Sequence, residues 1–149
     1  MSLRIEHRIG VAAPADAIWA LLEDVERWPE WNPLYTQAQG KLGIGAALKL
    51  RESLPGRPPR EFAPVVVDWE PEAQILWREN GVLARTMRYI EIEKLTETGC
   101  IFANGAFFSG VAGEMQAKSQ RRAIHQGFEA MSEAVKRLAE QAWRERSGG

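Results

Sequence analysis

Apolar and polar positions alternate from the start of the chain: Leu3, Ile5, His7, Ile9 and Val11 fall on one side of an extended backbone, Arg4, Glu6 and Arg8 on the other. That period of two is the signature of a strand with one buried face. The period then changes. In PADAIWALLEDV, residues 14–25, Ile18, Leu21, Leu22 and Val25 recur at helical spacing, with Pro14 suited to a first turn and Asp16 near the positive end of the helix dipole. The helix must stop before Pro29, because the residue preceding a proline is pushed out of the helical region. The segment DVERWPEWNP, residues 24–33, sets Trp28 and Trp31 around Pro29 and reads as a joint whose indoles close one end of the core.

Short β-rich runs follow at 34–39, 46–54, 62–70, 74–80, 85–96 and 100–109, separated by GKLGIG, PGRPPR, EPEA, Asn80-Gly81 and TETG. Turns this short let neighbouring strands pair directly, so an antiparallel meander is expected. The last pattern is one long helix over about 112–143, in which Ile124, Phe128, Met131, Val135, Leu138 and Ala142 step by three and four as a stripe that lies on the sheet. Continued backwards, the stripe meets Arg121, Ala117 and Glu114. Buried charge is costly unless paired or wet, so this half of the helix either frays from the sheet as a solvated end or faces a cavity that holds water or ligand. The terminal RSGG, within residues 145–149, reads as a disordered tail.

Composition narrows the function classes. The 149 residues are 45% hydrophobic and 26% charged with a net charge of −1, which fits one soluble domain and leaves no broad field for nucleic acid or anionic lipid. Charges at Arg4, Glu6, His7 and Arg8 exclude a signal-peptide core, and no run approaches a membrane span. A cytoplasmic protein without stable membrane insertion is expected. Cys100 is the single cysteine, and with only His7 and His125 beside it no metal-ligand cluster or disulfide is expected. No nucleotide-binding or nucleophile-elbow motif is present, so no cofactor is expected.

Four stretches taken in order carry a resemblance: VAAPADAIWALLEDVERWPEWNP (11–33), GKLGIGAALKL (40–50), FAPVVVDWEPEAQILWRENGVL (62–83), and FSGVAG with GFEAMSEAVKRLAEQ (108–113 and 127–141). The chain resembles the START-like superfamily, also called SRPBCC or Bet v 1-like, in its polyketide cyclase/dehydrase branch. The resemblance implies an α+β helix-grip fold over residues 1–149: a curved seven-stranded antiparallel sheet around a long C-terminal helix, with two short helices after the first strand. It also implies an internal apolar cavity for a lipid-like, aromatic polyketide or quinone-type ligand. Many relatives of this branch carry a histidine in the strand after GVL, where this chain has Met87 in ARTMRYIEIE. Two functions follow as expectations, a small-molecule binding protein acting as monomer or homodimer, or a polyketide cyclase/dehydrase-type enzyme.

Catalytic residues are not assignable from the pattern. Cavity candidates are Glu114, Ala117 and Arg121 on the backward stripe, with His125 beside it. The strands add Leu50, Glu52, Trp69, Trp77, Glu79, Tyr89 and Phe107. A carboxylate in such a place is suited to proton transfer, Glu114 and Arg121 lie two turns apart on one helical face, and Tyr89 can donate to a carbonyl. The segment LPGRPPRE, 54–61, is stiffened by three prolines and reads as a basic inter-strand loop; in a helix-grip fold such a loop can cover the cavity mouth.

Overall fold

The computed structural model describes residues 2–148. In chain order the elements are β1 (Ser2–Val11), α1 (Ala15–Leu22), a 3-10 turn (Val25–Glu30), β2 (Tyr35–Gln39), β3 (Lys49–Glu52), β4 (Arg60–Phe62), β5 (Val65–Glu70), β6 (Gln74–Gly81), β7 (Ala84–Thr96), β8 (Gly99–Ser109), α2 (Val111–Ser119) and α3 (Arg121–Gly148). All pairings are antiparallel, in a five-stranded sheet of order β1-β8-β7-β6-β5 and a three-stranded sheet β2-β3-β4.

The expected seven strands are eight because one run is split. Pro64 has no N–H to give to a ladder, so the stretch expected as one strand over 62–70 divides into β4 and β5 around Ala63 and Pro64. The Ala47–Val65 bridge and the bond from the Leu48 amide to the Pro64 carbonyl (2.9 Å) keep the two sheets joined at that bend. Register shifts at Val66/Asp68 in β5 and Tyr35/Gln37 in β2 add curvature. The second short helix is a 3-10 turn that contains Pro29, opened by Asp24 Oδ1 accepting from the Glu26 amide (3.2 Å).

The long helix is two. Gln120 leaves helical geometry at φ −111° and ψ 14°, which separates α2 from α3. The apolar stripe is buried at Ile124, Phe128, Met131 and Val135 and the buried line continues to Ala139, while Leu138 is half-buried and Ala142, in the last turns of the helix, is exposed. Helix α3 continues to Gly148, so residues 145–148 are helical where a disordered tail was expected; Gly149 lies outside the described residues.

The core seats α3 on β1, β8 and α1, with Asn104 Nδ2 of β8 donating to the Phe128 carbonyl (3.0 Å) and Ser132 Oγ (2.6 Å). Trp28 is fully buried, donates its indole N–H to the Leu22 carbonyl (3.1 Å) and packs on Tyr35 and Trp77, whereas Trp31 is half-buried at the rim. At that end Lys136 Nζ donates to the Gly10 carbonyl (2.9 Å) and the Ala12 amide to Glu140 (2.8 Å), which fastens β1 to α3. The opposite end, where α2, the β3–β4 loop and the β6–β7 turn meet, is open.

Candidate functional site

A cavity of about 390 Å³ lies at the open end, within the range of small-molecule sites. Its walls are apolar: Leu54, Pro58 and Pro59 from the β3–β4 loop, Ala84 and Phe108 from the sheet, and Ile124 from α3. The expected loop over the mouth is thus part of the lining. Gly113, Gln116 and Gln120 form the helical side, spaced by three and four along the α2 face that looks inward.

The floor is ionised. On β7, Ala84, Thr86 and Arg88 have the same strand parity as Ile90 and Ile92 and so project to the concave side. Arg88 Nη1 contacts Glu52 Oε2 at 2.5 Å and donates to the Tyr35 hydroxyl at 3.1 Å, with the Arg88 and Glu52 side chains only 4% and 6% exposed. Arg60 binds Glu79 through both terminal nitrogens, at 2.5 and 3.2 Å, and lies 3.6 Å from Glu52. Two guanidiniums therefore alternate with two carboxylates, and the set is neutral. The Arg88 guanidinium also stacks near the rings of Phe62 and Phe128, at 5.2 and 5.9 Å. Burial works against its charge, but the Glu52 carboxylate and Tyr35 outweigh that and hold its pKa above the ordinary arginine value. Burial likewise pushes the Tyr35 phenol up, so it stays protonated.

Chemically, the inner pair is a fixed support and the outer pair is the working edge. All four line the cavity, but the Glu52 and Arg88 side chains are almost wholly buried and paired with each other, while the Arg60 and Glu79 side chains are 40% and 25% exposed. The outer pair offers N–H donors and carboxylate acceptors to an oxygenated group, next to walls that take hydrocarbon. Among the described residues no group of three metal-ligating side chains gathers.

Of the sequence candidates, Glu52 and Glu79 line this cavity. Glu114 is half-buried and Arg121 exposed, both off the lining: Glu114 stands about 100° round the helix from Gly113, and the inward line runs from Gln116 through Gln120 to Ile124, one position to the side of Arg121. Ala117 is buried against the sheet. His125 packs edge-on against His7 of β1 with ring centroids 5.5 Å apart. Trp77 is buried beneath the floor against Tyr35, and Leu50 is core, paired across the sheet with Phe62. Trp69 points inward but at the closed end, stacked on Trp19 of α1 at 6.1 Å. Tyr89 and Phe107 are on the outer face, by strand parity: the Tyr89 hydroxyl donates to Glu6, accepts from Arg4 Nε (2.9 Å), and its ring lies 5.6 Å from that of Phe107. Met87 has the same outward parity. Arg60, Arg88, Thr86, Phe108, Gln116 and Gln120 were missed, although Arg88 was visible as a charge in register with Ile90 and Ile92.

The family model for polyketide cyclase/dehydrase and lipid transport matches residues 2–141. The chain belongs to this polyketide cyclase/dehydrase family. Its fold is similar to the Zhui aromatase/cyclase from Streptomyces sp. R1128, with 20% identity, TM-score 0.78, and coverage of 100% of this chain and 99% of that one. It is also similar to norcoclaurine synthase from Thalictrum flavum, solved with a transition-state analogue, with 21% identity, TM-score 0.70 and coverage of 95% and 96%. A START superfamily protein from Mycobacterium smegmatis matches with 20% identity, TM-score 0.70 and coverage of 93% and 98%. No curated protein sequence matches. At these identities the solved structures establish the helix-grip fold of the family member, and no helix among the described residues is long and apolar enough to cross a membrane.

Proposed function

We propose that the protein binds a small, mostly apolar or aromatic molecule in this cavity, with the ligand's oxygenated edge on Arg60 and Glu79 and its hydrocarbon against Leu54, Phe108 and Ile124. The observation that carries the reading is one lining divided into apolar walls and an ionised, neutral floor. A hydrocarbon without oxygen would desolvate that floor with nothing in return, whereas a ketone, phenol or carboxyl restores the lost hydrogen bonds. Aromatic polyketides, quinones and fatty acyl groups have this chemistry, and the likeness to an aromatase/cyclase supports the polyketide end of the range. The reading includes a cytoplasmic monomer or homodimer, checked by cell fractionation and sedimentation velocity.

Trp77 lies beneath the floor, so intrinsic fluorescence reports occupancy. Titration with a hydroxylated anthraquinone and with a long-chain fatty acid is expected to give saturable quenching by at least one, weakened about tenfold in Arg60→Gln for the loss of one charged hydrogen bond. No saturable change with either probe, together with a crystal cavity filled only by water, removes the reading.

One observation favours a second, catalytic reading of cyclase/dehydrase type: Glu79 is the floor carboxylate with open access, placed to exchange a proton with a bound ligand. Glu79→Gln is then expected to lose turnover of a polyketide substrate by far more than it weakens ligand binding, since glutamine still hydrogen-bonds but exchanges no proton. Unchanged turnover would exclude Glu79 as the acid or base.

A further inference from the structure

Large apolar side chains stand in solvent around the cavity mouth. Val82 is 90% exposed and Leu83 69% in the β6–β7 turn, and Val111 is 70% and Met115 66% exposed on α2. The four belong to one patch: the Leu83 carbonyl accepts from the amides of Ala112 (3.0 Å) and Gly113 (3.4 Å), and Val111 and Met115 are one turn apart on one helical face. Leaving this much apolar surface together in water is unfavourable for a monomeric protein without a use for it.

Basic groups lie just behind. Lys118 follows Met115 on the same stripe, exposed Arg121 and Arg122 come next beyond the helix break, and Arg57 stands on the opposite rim. Glu114 stands half-buried on α2 between Val111 and Met115, and the acids Glu79 and Glu52 of this end are paired with Arg60 and Arg88. The turns at the far end carry Glu70, Glu72 and Glu97. Apolar tips with a basic collar match an anionic bilayer: the tips enter the acyl boundary and the collar meets headgroup phosphates.

We propose that the open end docks reversibly on an anionic membrane surface, so that the cavity mouth faces the bilayer interface. The four tips project from a turn and a helix start and line no groove, which suits a soft apolar phase better than a second folded protein. Peripheral docking of this kind needs no spanning helix.

The test is co-sedimentation of the full chain with vesicles of phosphatidylcholine alone and of phosphatidylcholine mixed with phosphatidylglycerol. Binding to the mixed vesicles is expected to be about tenfold or more tighter, and to weaken as salt rises. Two double variants probe the two parts, Leu83→Asn with Met115→Gln, and Lys118→Gln with Arg122→Gln. Asparagine suits position 83, where φ is +59°, and all four positions are exposed, so both variants are expected to keep the wild-type circular dichroism spectrum. Each is expected to lose about tenfold or more in vesicle affinity. Equal binding to both vesicle types, wild-type binding by both variants, or capture by an acidic protein without vesicle binding would overturn the proposal. Quenching by soluble cavity ligands in the absence of vesicles is expected to survive in both variants, so failure of membrane docking and failure of the cavity reading are separable.

Discussion

At Arg88 a cation sits inside the core, held by one carboxylate, one phenol and two aromatic rings. Taking two ions out of water costs several kcal/mol each, and attraction returns that only while both are present. Glu52→Gln leaves the guanidinium buried without its counter-charge, so a loss of about 3–5 kcal/mol is expected in urea unfolding. The pair Glu52→Leu with Arg88→Met is expected to recover most of it, because no uncompensated charge remains. If the single variant unfolds like the wild type, the pair is not the support of the floor. This residue-scale arrangement was half legible: Glu52 stood out as an acid in a strand run, but its partner is 36 positions away and becomes a partner only when β3 and β7 curve toward each other. Strand parity finds which residues point inward; it does not find which inward residues meet.

Elements explain where the reading of the long helix went astray. Periodicity carries a stripe through any residue that does not stop it, and nothing in SQRR announces that Gln120 leaves helical geometry. Strand order, turn positions and the α3 stripe were legible because they rest on local patterns with strong penalties for violation. The break and the Pro64 split depend on what the two ends of an element must reach. The junction before α2 carries its own test. Gly110 has φ +84°, and a Cβ there would stand 2.5 Å from the Leu83 carbonyl oxygen, which is backbone and cannot swing aside. Gly110→Ala is therefore expected to push the β6–β7 turn off α2 and open the cavity mouth. Hydrogen exchange is expected to rise at the Ala112 and Gly113 amides, with a drop in thermal midpoint; unchanged protection there would mean that the turn does not hold the mouth.

For the molecule as a whole, pH reports how β1 is joined to α3. His7 sits on the buried face of β1, its Nε2 3.7 Å from Glu129 and its ring against His125. Burial lowers its pKa, His125 lowers it further, and the opposing pull of Glu129 and Glu133 is too weak to restore it. The folded value therefore lies below the unfolded one of about 6.5. Between those two values the unfolded chain binds a proton that the folded chain does not, so protons favour unfolding and stability falls as the pH drops through that interval. Above it the contribution is fully present, and below the folded value the loss is complete. The lowered carboxylates Glu6, held by Tyr89 and Arg4, Asp16, held by Arg146, and Glu140, held by Lys136, act with the same sign, but from the ordinary carboxylate range downward. The two windows are thus separate. Urea unfolding followed downward from neutral pH is expected to show a first decline beginning near 6.5 and a second in the carboxylate range. His7→Gln is expected to flatten the first while leaving the second; if it leaves the first unchanged, another group reports at that pH and the joint between β1 and α3 does not titrate.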